Sequence, residues 1–152
     1  MKKLLLCFFL FFALSVGYSQ TNISGGIYSN TTWTASESPY IVTGNIVIFQ
    51  DVTLTIEPGV IVRFDLDIGL ELRGKLIAIG TSTDKITFTS NSSSPQMNDW
   101  NGIITNLTSD PFGEGDQVTM EHCIGEYAHH FINLITAHNG PYIFRNCYFN
   151  NN

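Results

Sequence analysis

The sequence predicts an all-β solenoid, and three observations predict it. First, the C-terminal part repeats itself: Met120-Glu121-His122-Cys123-Ile124 is echoed position for position by Phe144-Arg145-Asn146-Cys147-Tyr148, at an offset of 24. A repeat of about 20–50 residues is the mark of stacked units that bury their apolar faces only against neighbours. Second, apolar residues alternate with polar ones, as in Val52-Thr53-Leu54-Thr55-Ile56 and Val60-Ile61-Val62-Arg63-Phe64, which is the period of two that a half-buried strand shows. Third, Gly, Asn, Asp and Pro interrupt the chain at short intervals and no stretch carries a helical apolar stripe, so the stacked unit is a strand.

The chain begins with Lys2-Lys3, an apolar run from Leu4 to Val16 and a small-residue exit at Gly17-Tyr18-Ser19-Gln20. This predicts a secretory signal peptide over 1–20, and therefore a secreted or outer-surface protein with no membrane span once the signal is removed. Cys7 sits at the start of the apolar run after Leu5-Leu6, so it does not read as a lipoprotein cysteine. Residues 21–152 then form one domain. Within it, 21–40 is expected to cover the first coil, with Trp33 as its apolar plug, because a terminal coil otherwise exposes its edge and core.

Tyr40 to Phe49 is a strand region turning at Gly44-Asn45. The 52–56 strand follows, then a turn at Glu57-Pro58-Gly59, the 60–64 strand and a corner from Asp65 to Gly69. Leu70-Glu71-Leu72-Arg73 and Leu76-Ile77-Ala78-Ile79 come next. Leu54 matches Leu70, Ile56 matches Leu72, Val60 matches Leu76 and Val62 matches Ala78, which suggests a second, shorter repeat at an offset of 16. Ile86 to Ser90 and Trp100 to Ile104 are further strand regions, and Thr108 to Gln117 is the longest polar excursion before the C-terminal repeat.

Removal of Lys2 and Lys3 leaves five basic residues against thirteen acidic ones, a net charge of −8. Such an acidic surface repels nucleic acid and anionic membrane. The same cleavage leaves two cysteines, Cys123 and Cys147. A secreted pair invites a disulfide. The repeat gives them another role, as free thiols packed at one inward, stacked position, and that reading is preferred to the bond. His122 and Asn146 stack beside them as a short polar ladder.

These residues resemble the right-handed parallel β-helix family, the pectin-lyase-like superfold, in its secreted bacterial repeat form. The likeness lies in Leu54-Thr55-Ile56-Glu57-Pro58-Gly59-Val60, in the Leu-x-Leu-x-Gly-x-Leu pattern of Leu70 to Leu76, in Ile86 to Ser90, in Trp100-Asn101-Gly102-Ile103 and in the cysteine-bearing ladder. It runs from about Ile41 onward and implies a single-stranded right-handed parallel β-helix. About five to six coils fit the mature chain. Longer members of the family imply that this is a short or truncated one, with an open C-terminal edge after Asn150-Asn151-Asn152 through which it would self-associate.

The superfold hosts enzymes and passive surface proteins alike, so function has to come from a site. Its lyases imply one candidate: Asp65 and Asp67, with Glu71, as calcium ligands, and Arg63 or Lys75 as the base acting on an acidic sugar. Strand alternation by itself already turns Arg63, Glu71 and Arg73 outward, where opposite charges on neighbouring strands pair. Asp110, Glu114 and Asp116, in a loop with Gly113 and Gly115, are a second calcium candidate without the ligand spacing of a known calcium loop. Glu121, His122, Glu126, His129, His130 and His138 show no zinc-ligand spacing. Tyr127, Tyr142, Tyr148 and Phe149 offer either a sugar-stacking groove or stacked core aromatics, the core being preferred. The reading that results is a non-enzymatic scaffold or binding module for a glycan or a surface protein, needing no cofactor. The alternative is a calcium-dependent polysaccharide lyase or its remnant.

Overall fold

The computed structural model of the chain describes residues 20–105, 117–134 and 141–152. Among these residues the chain forms β1 (Thr21–Ile27), β2 (Thr31–Trp33), β3 (Tyr40–Ile48), β4 (Thr53–Ile56), β5 (Ile61–Phe64), β6 (Gly69–Leu72), β7 (Lys75–Ile79) and β8 (Ile86–Ser90). Next come β9 (Gly102–Thr105), β10 (Gln117–Glu121), β11 (Cys123–Glu126), β12 (Ile132–Leu134), β13 (Tyr142–Arg145) and β14 (Tyr148–Asn150). A 3-10 turn, Ala35–Glu37, departs from the expectation of strands only.

Every pairing between these strands is parallel. One sheet runs β2-β4-β7-β10-β13. The other is folded at β3, whose first half, Tyr40 to Val42, pairs with β5 while its second half, Ile46 to Ile48, pairs with β6. The result is a three-faced parallel β-helix. Each coil visits the faces in the same order, as β5-β6-β7 and β8-β9-β10 do, and the described strands make five coils with β14 opening a sixth.

Register corrects two expectations. Leu54 lies against Leu76, and Leu70 against Ile46, so the offset of 16 connects different faces and is no coil repeat. The offset of 24 is one, since Met120 pairs with Phe144 and Ile124 with Tyr148. Residues 21–33 are also not a separate cover. β1 pairs with β3 and β2 with β4, so they are the first coil itself. Trp33 is buried there and stacks on Tyr40 with ring centroids 5.0 Å apart.

Alternation decides what enters the core. In β4 and β5 the burial alternates along the strand, with Leu54, Ile56, Val62 and Phe64 inside and Arg63 exposed. Phe64 stacks on Trp100 of the next coil with ring centroids 4.0 Å apart and nearly parallel planes, an arrangement worth about 0.5–1.5 kcal/mol beyond its buried area. The Trp100 indole N–H donates to the Glu126 carbonyl at 2.8 Å, so its one polar group is satisfied inside the core. In the ladder Phe88–Gly125–Phe149 the glycine leaves room that the Phe131 ring fills; a Cβ there would stand 2.3 Å from that ring. Phe131 in turn stacks on Phe149 at 4.4 Å.

Candidate functional site

The residues from Arg63 to Lys75 are distributed by the coil rather than gathered by it. Arg63 points outward from β5 and Glu71 from β6, while Lys75 begins β7 on the third face, in register with Thr53 and Gln117. Asp65 and Asp67 occupy the corner between the first two faces. Asp65 accepts a hydrogen bond from Asn91 Nδ2 at 2.8 Å. Asp67 has a left-handed backbone (φ 59°), donates its N–H to the Asp99 carbonyl at 2.8 Å and receives Asn101 Nδ2 on its own carbonyl at 2.7 Å. The corner is thus tied to the coil above it. Arg63 and Lys75 therefore belong to different faces of the coil.

Glu71 is held by Arg73, whose Nε donates to Oε1 at 2.7 Å. That hydrogen bond raises the Arg73 pKa above its ordinary value. The pair is solvent-accessible, so its worth is about 0–1 kcal/mol. The Arg73 guanidinium also lies 5.5 Å from the centre of the Phe49 ring, and Phe49 stacks on Tyr28 at 4.6 Å. Tyr28, Phe49 and Arg73 each follow the last residue of a paired strand segment, Ile27, Ile48 and Leu72. They form an outer ladder on one corner. Their recurrence at intervals of one coil, each directly after an apolar strand end, was the signal in the sequence that could have revealed it.

Among the described residues no group of three or more His, Cys, Asp or Glu side chains could hold a metal ion. Asp65 and Asp67 thus have no third side chain of these types grouped with them among those residues. Asp110, Glu114, Asp116 and His138 lie outside the described residues. Among those described, no helix is long and apolar enough to cross a membrane.

At the C-terminal repeat, His122 and Asn146 both adopt left-handed backbones (φ 50° and 52°), and Asn146 Nδ2 lies 3.4 Å from His122 Nε2. Glu121 Oε1 is 3.9 Å from the same nitrogen. Cys123 and Cys147 are free thiols. Cys123 is buried and Cys147 only half-buried, which corrects the expected buried pair, because Cys147 stands on the last of the described coils. Burial pushes the Cys123 thiol up to about 12.

The aromatic residues of this end divide differently from the expected core stack. Tyr127 and Tyr142 are half-buried and pack on the core. Tyr148 is 60% exposed and Phe149 44% exposed, because both lie on the terminal described strand, β14. With Phe144, Phe131, Ile132, His130 and Asn150 to Asn152, Phe149 lines a depression of about 520 Å³. The Asn152 side chain closes one border, accepting from Ala128 N at 2.8 Å and donating to the Gly125 carbonyl at 3.1 Å.

One polar centre escaped the sequence reading. Asp99 Oδ2 accepts from Ser90 Oγ at 2.5 Å and from Gln96 N at 3.0 Å, while the Asp99 backbone bonds both Asp67 and Tyr127. It links three successive coils. A lone Asp between Asn98 and Trp100 gives no hint of this in the sequence.

The parallel coils and their register define the class, a β-helix protein. Residues 25–127 match the family described as a pectate-lyase like beta helix domain. That is more than half of the chain, which belongs to this family. Over 75 residues, 49% of its length, the chain is 41% identical to Protein bark beetle of Drosophila melanogaster, of which it spans only 2%. No solved structure matches.

Proposed function

We propose that this protein is a secreted or cell-surface β-helix scaffold that binds a glycan or a protein on its coil faces without catalysing a reaction. The observation that carries the reading is the dispersal of Arg63, Asp65, Asp67, Glu71 and Lys75 over separate faces and corners, with Asp65 and Glu71 bonded to the chain's own Asn91 and Arg73. A lyase needs a base and cation-binding carboxylates converging within hydrogen-bond reach of one sugar. A binding face needs only a regular ridge of hydroxyl, amide and charged groups, which parallel strands present at each spacing of about 4.8 Å. The net negative charge turns nucleic acid and anionic lipid away as partners.

The test is affinity electrophoresis of the chain through gels containing neutral or uronate-bearing polysaccharides, with and without calcium, together with detection of unsaturated sugar products. Retardation without product supports the scaffold. Product that requires calcium and disappears in Arg63→Ala or Lys75→Ala would establish the lyase instead. Self-association through the C-terminal coil is part of the same reading, supported by the exposed aromatic rings of β13 and β14.

A further inference from the structure

The binding reading makes no use of the two thiols, and their geometry has a chemistry of its own. Ile124 and Tyr148 are direct partners in the β11–β14 ladder. Cys123 and Cys147, the residues just before them, therefore stand about one strand spacing of 4.8 Å apart, inside the Cα window of roughly 4.4–6.8 Å that disulfides occupy. Their orientation is repeated as well. The Cys123 thiol donates to the Ala78 carbonyl at 3.3 Å and the Cys147 thiol to the Met120 carbonyl at 3.5 Å. Ala78 and Met120 are themselves partners between β7 and β10. Each cysteine follows a residue with left-handed backbone, so both side chains leave the coil in the same direction.

We propose that Cys123 and Cys147 are an oxidation site, at which exchange with a low-molecular-weight disulfide forms a Cys123–Cys147 bond that joins the start of β14 covalently to the coil beneath it. A disulfide brings Cβ atoms to about 3.8 Å, closer than one strand spacing. The bond therefore requires the two side chains to lean toward each other by about 1 Å.

The order of steps follows from exposure. Cys147 is half-buried and Cys123 buried, so the Cys147 thiolate attacks first. With oxidised glutathione it forms a Cys147–glutathione mixed disulfide and releases one glutathione thiolate. The Cys123 thiolate then attacks the Cys147 sulfur and releases the second. Two protein thiols are oxidised, one glutathione disulfide is reduced, and the two thiol protons end on the two glutathione molecules. The second step is slow near neutral pH, because burial keeps Cys123 protonated and the thiolate is the nucleophile.

The experiment incubates the full chain in glutathione redox buffers, quenches with acid, alkylates, and reads intact mass and peptide maps, which separate Cys7 from the other two. The expected result is a Cys147 mixed disulfide that converts to an intramolecular Cys123–Cys147 bond, with conversion accelerating about tenfold per pH unit between pH 7 and 9. Cys123→Ser should stop at the mixed disulfide. Persistence of two alkylatable thiols in the wild-type chain would overturn the proposal, as would a bond formed only between molecules. It would also fall if Cys123 rather than Cys147 carried the first glutathione.

Discussion

Replacing Gly102 by alanine isolates the contact between two coils. Gly102 opens β9 with φ +90°, and a Cβ built on it would lie 1.8 Å from the His130 carbonyl oxygen and 3.3 Å from that of Phe131. The obstructing atom is backbone and cannot rotate away, so the whole turn carrying His130 must move. Gly25 supplies the control, with φ +88° and nothing within 4 Å of an added Cβ. Both substitutions share the strain of a left-handed residue, about 1–2 kcal/mol, and both recover about 0.4–1 kcal/mol from a stiffer unfolded chain. Only Gly102→Ala adds overpacking, about 1–3 kcal/mol. Urea unfolding should therefore show Gly25→Ala within about 1.5 kcal/mol of wild type and Gly102→Ala lower by a further ~1–3 kcal/mol. Equal losses in the two variants would refute the claim that the 127–131 turn sits directly on β9.

Three other outcomes follow from the same geometry. The Cys123 thiol has its folded pKa raised from 9.0 to about 12, so its stabilising contribution is complete below pH 9 and lost as pH rises toward 12. The pH-dependence of urea midpoints should be steeper in wild type than in Cys123→Ala over that window. Arg73→Ala removes an exposed ion pair and a guanidinium over Phe49 and should cost no more than about 1.5 kcal/mol by thermal unfolding. Phe149→Ser should raise the monomer fraction in sedimentation velocity if the C-terminal aromatic rings mediate self-association, while an unchanged distribution would remove that role.

The fold was legible wherever a coil runs without insertion. The two coils around Cys123 and Cys147 keep one length, so Met120, Cys123 and Ile124 meet their equivalents at a constant offset. The shorter apparent repeat misled for a physical reason. Each face needs the same short apolar-x-apolar segment, so Leu54-x-Ile56 on β4 resembles Leu70-x-Leu72 on β6 although they belong to different faces. Coil length itself varies. Ile56 pairs with Ala78 and Ala78 with Met120, so the second of these coils consumes nearly twice as much chain as the first, because corners absorb insertions without disturbing the ladders.

The candidate site was legible in part. Alternation correctly turned Arg63 outward, since inside and outside follow from a period of two. Which face a residue occupies depends on how many residues each corner consumes, and the sequence around Asp65 and Gly74 does not state that. Thus Lys75 was grouped with Arg63 by nearness in the chain, while the coil carries them to different faces. Asp99, which connects three coils, and the Tyr28–Phe49–Arg73 ladder went unseen because their partners lie a coil away.

Register is the claim on which the rest depends, and backbone nuclear Overhauser contacts measure it directly. Inter-strand backbone contacts are expected between Leu54 and Leu76, between Ile46 and Leu70, and between Met120 and both Ala78 and Phe144. Backbone contacts pairing Leu54 with Leu70 and Ile56 with Leu72 would contradict it and restore the shorter repeat as the coil.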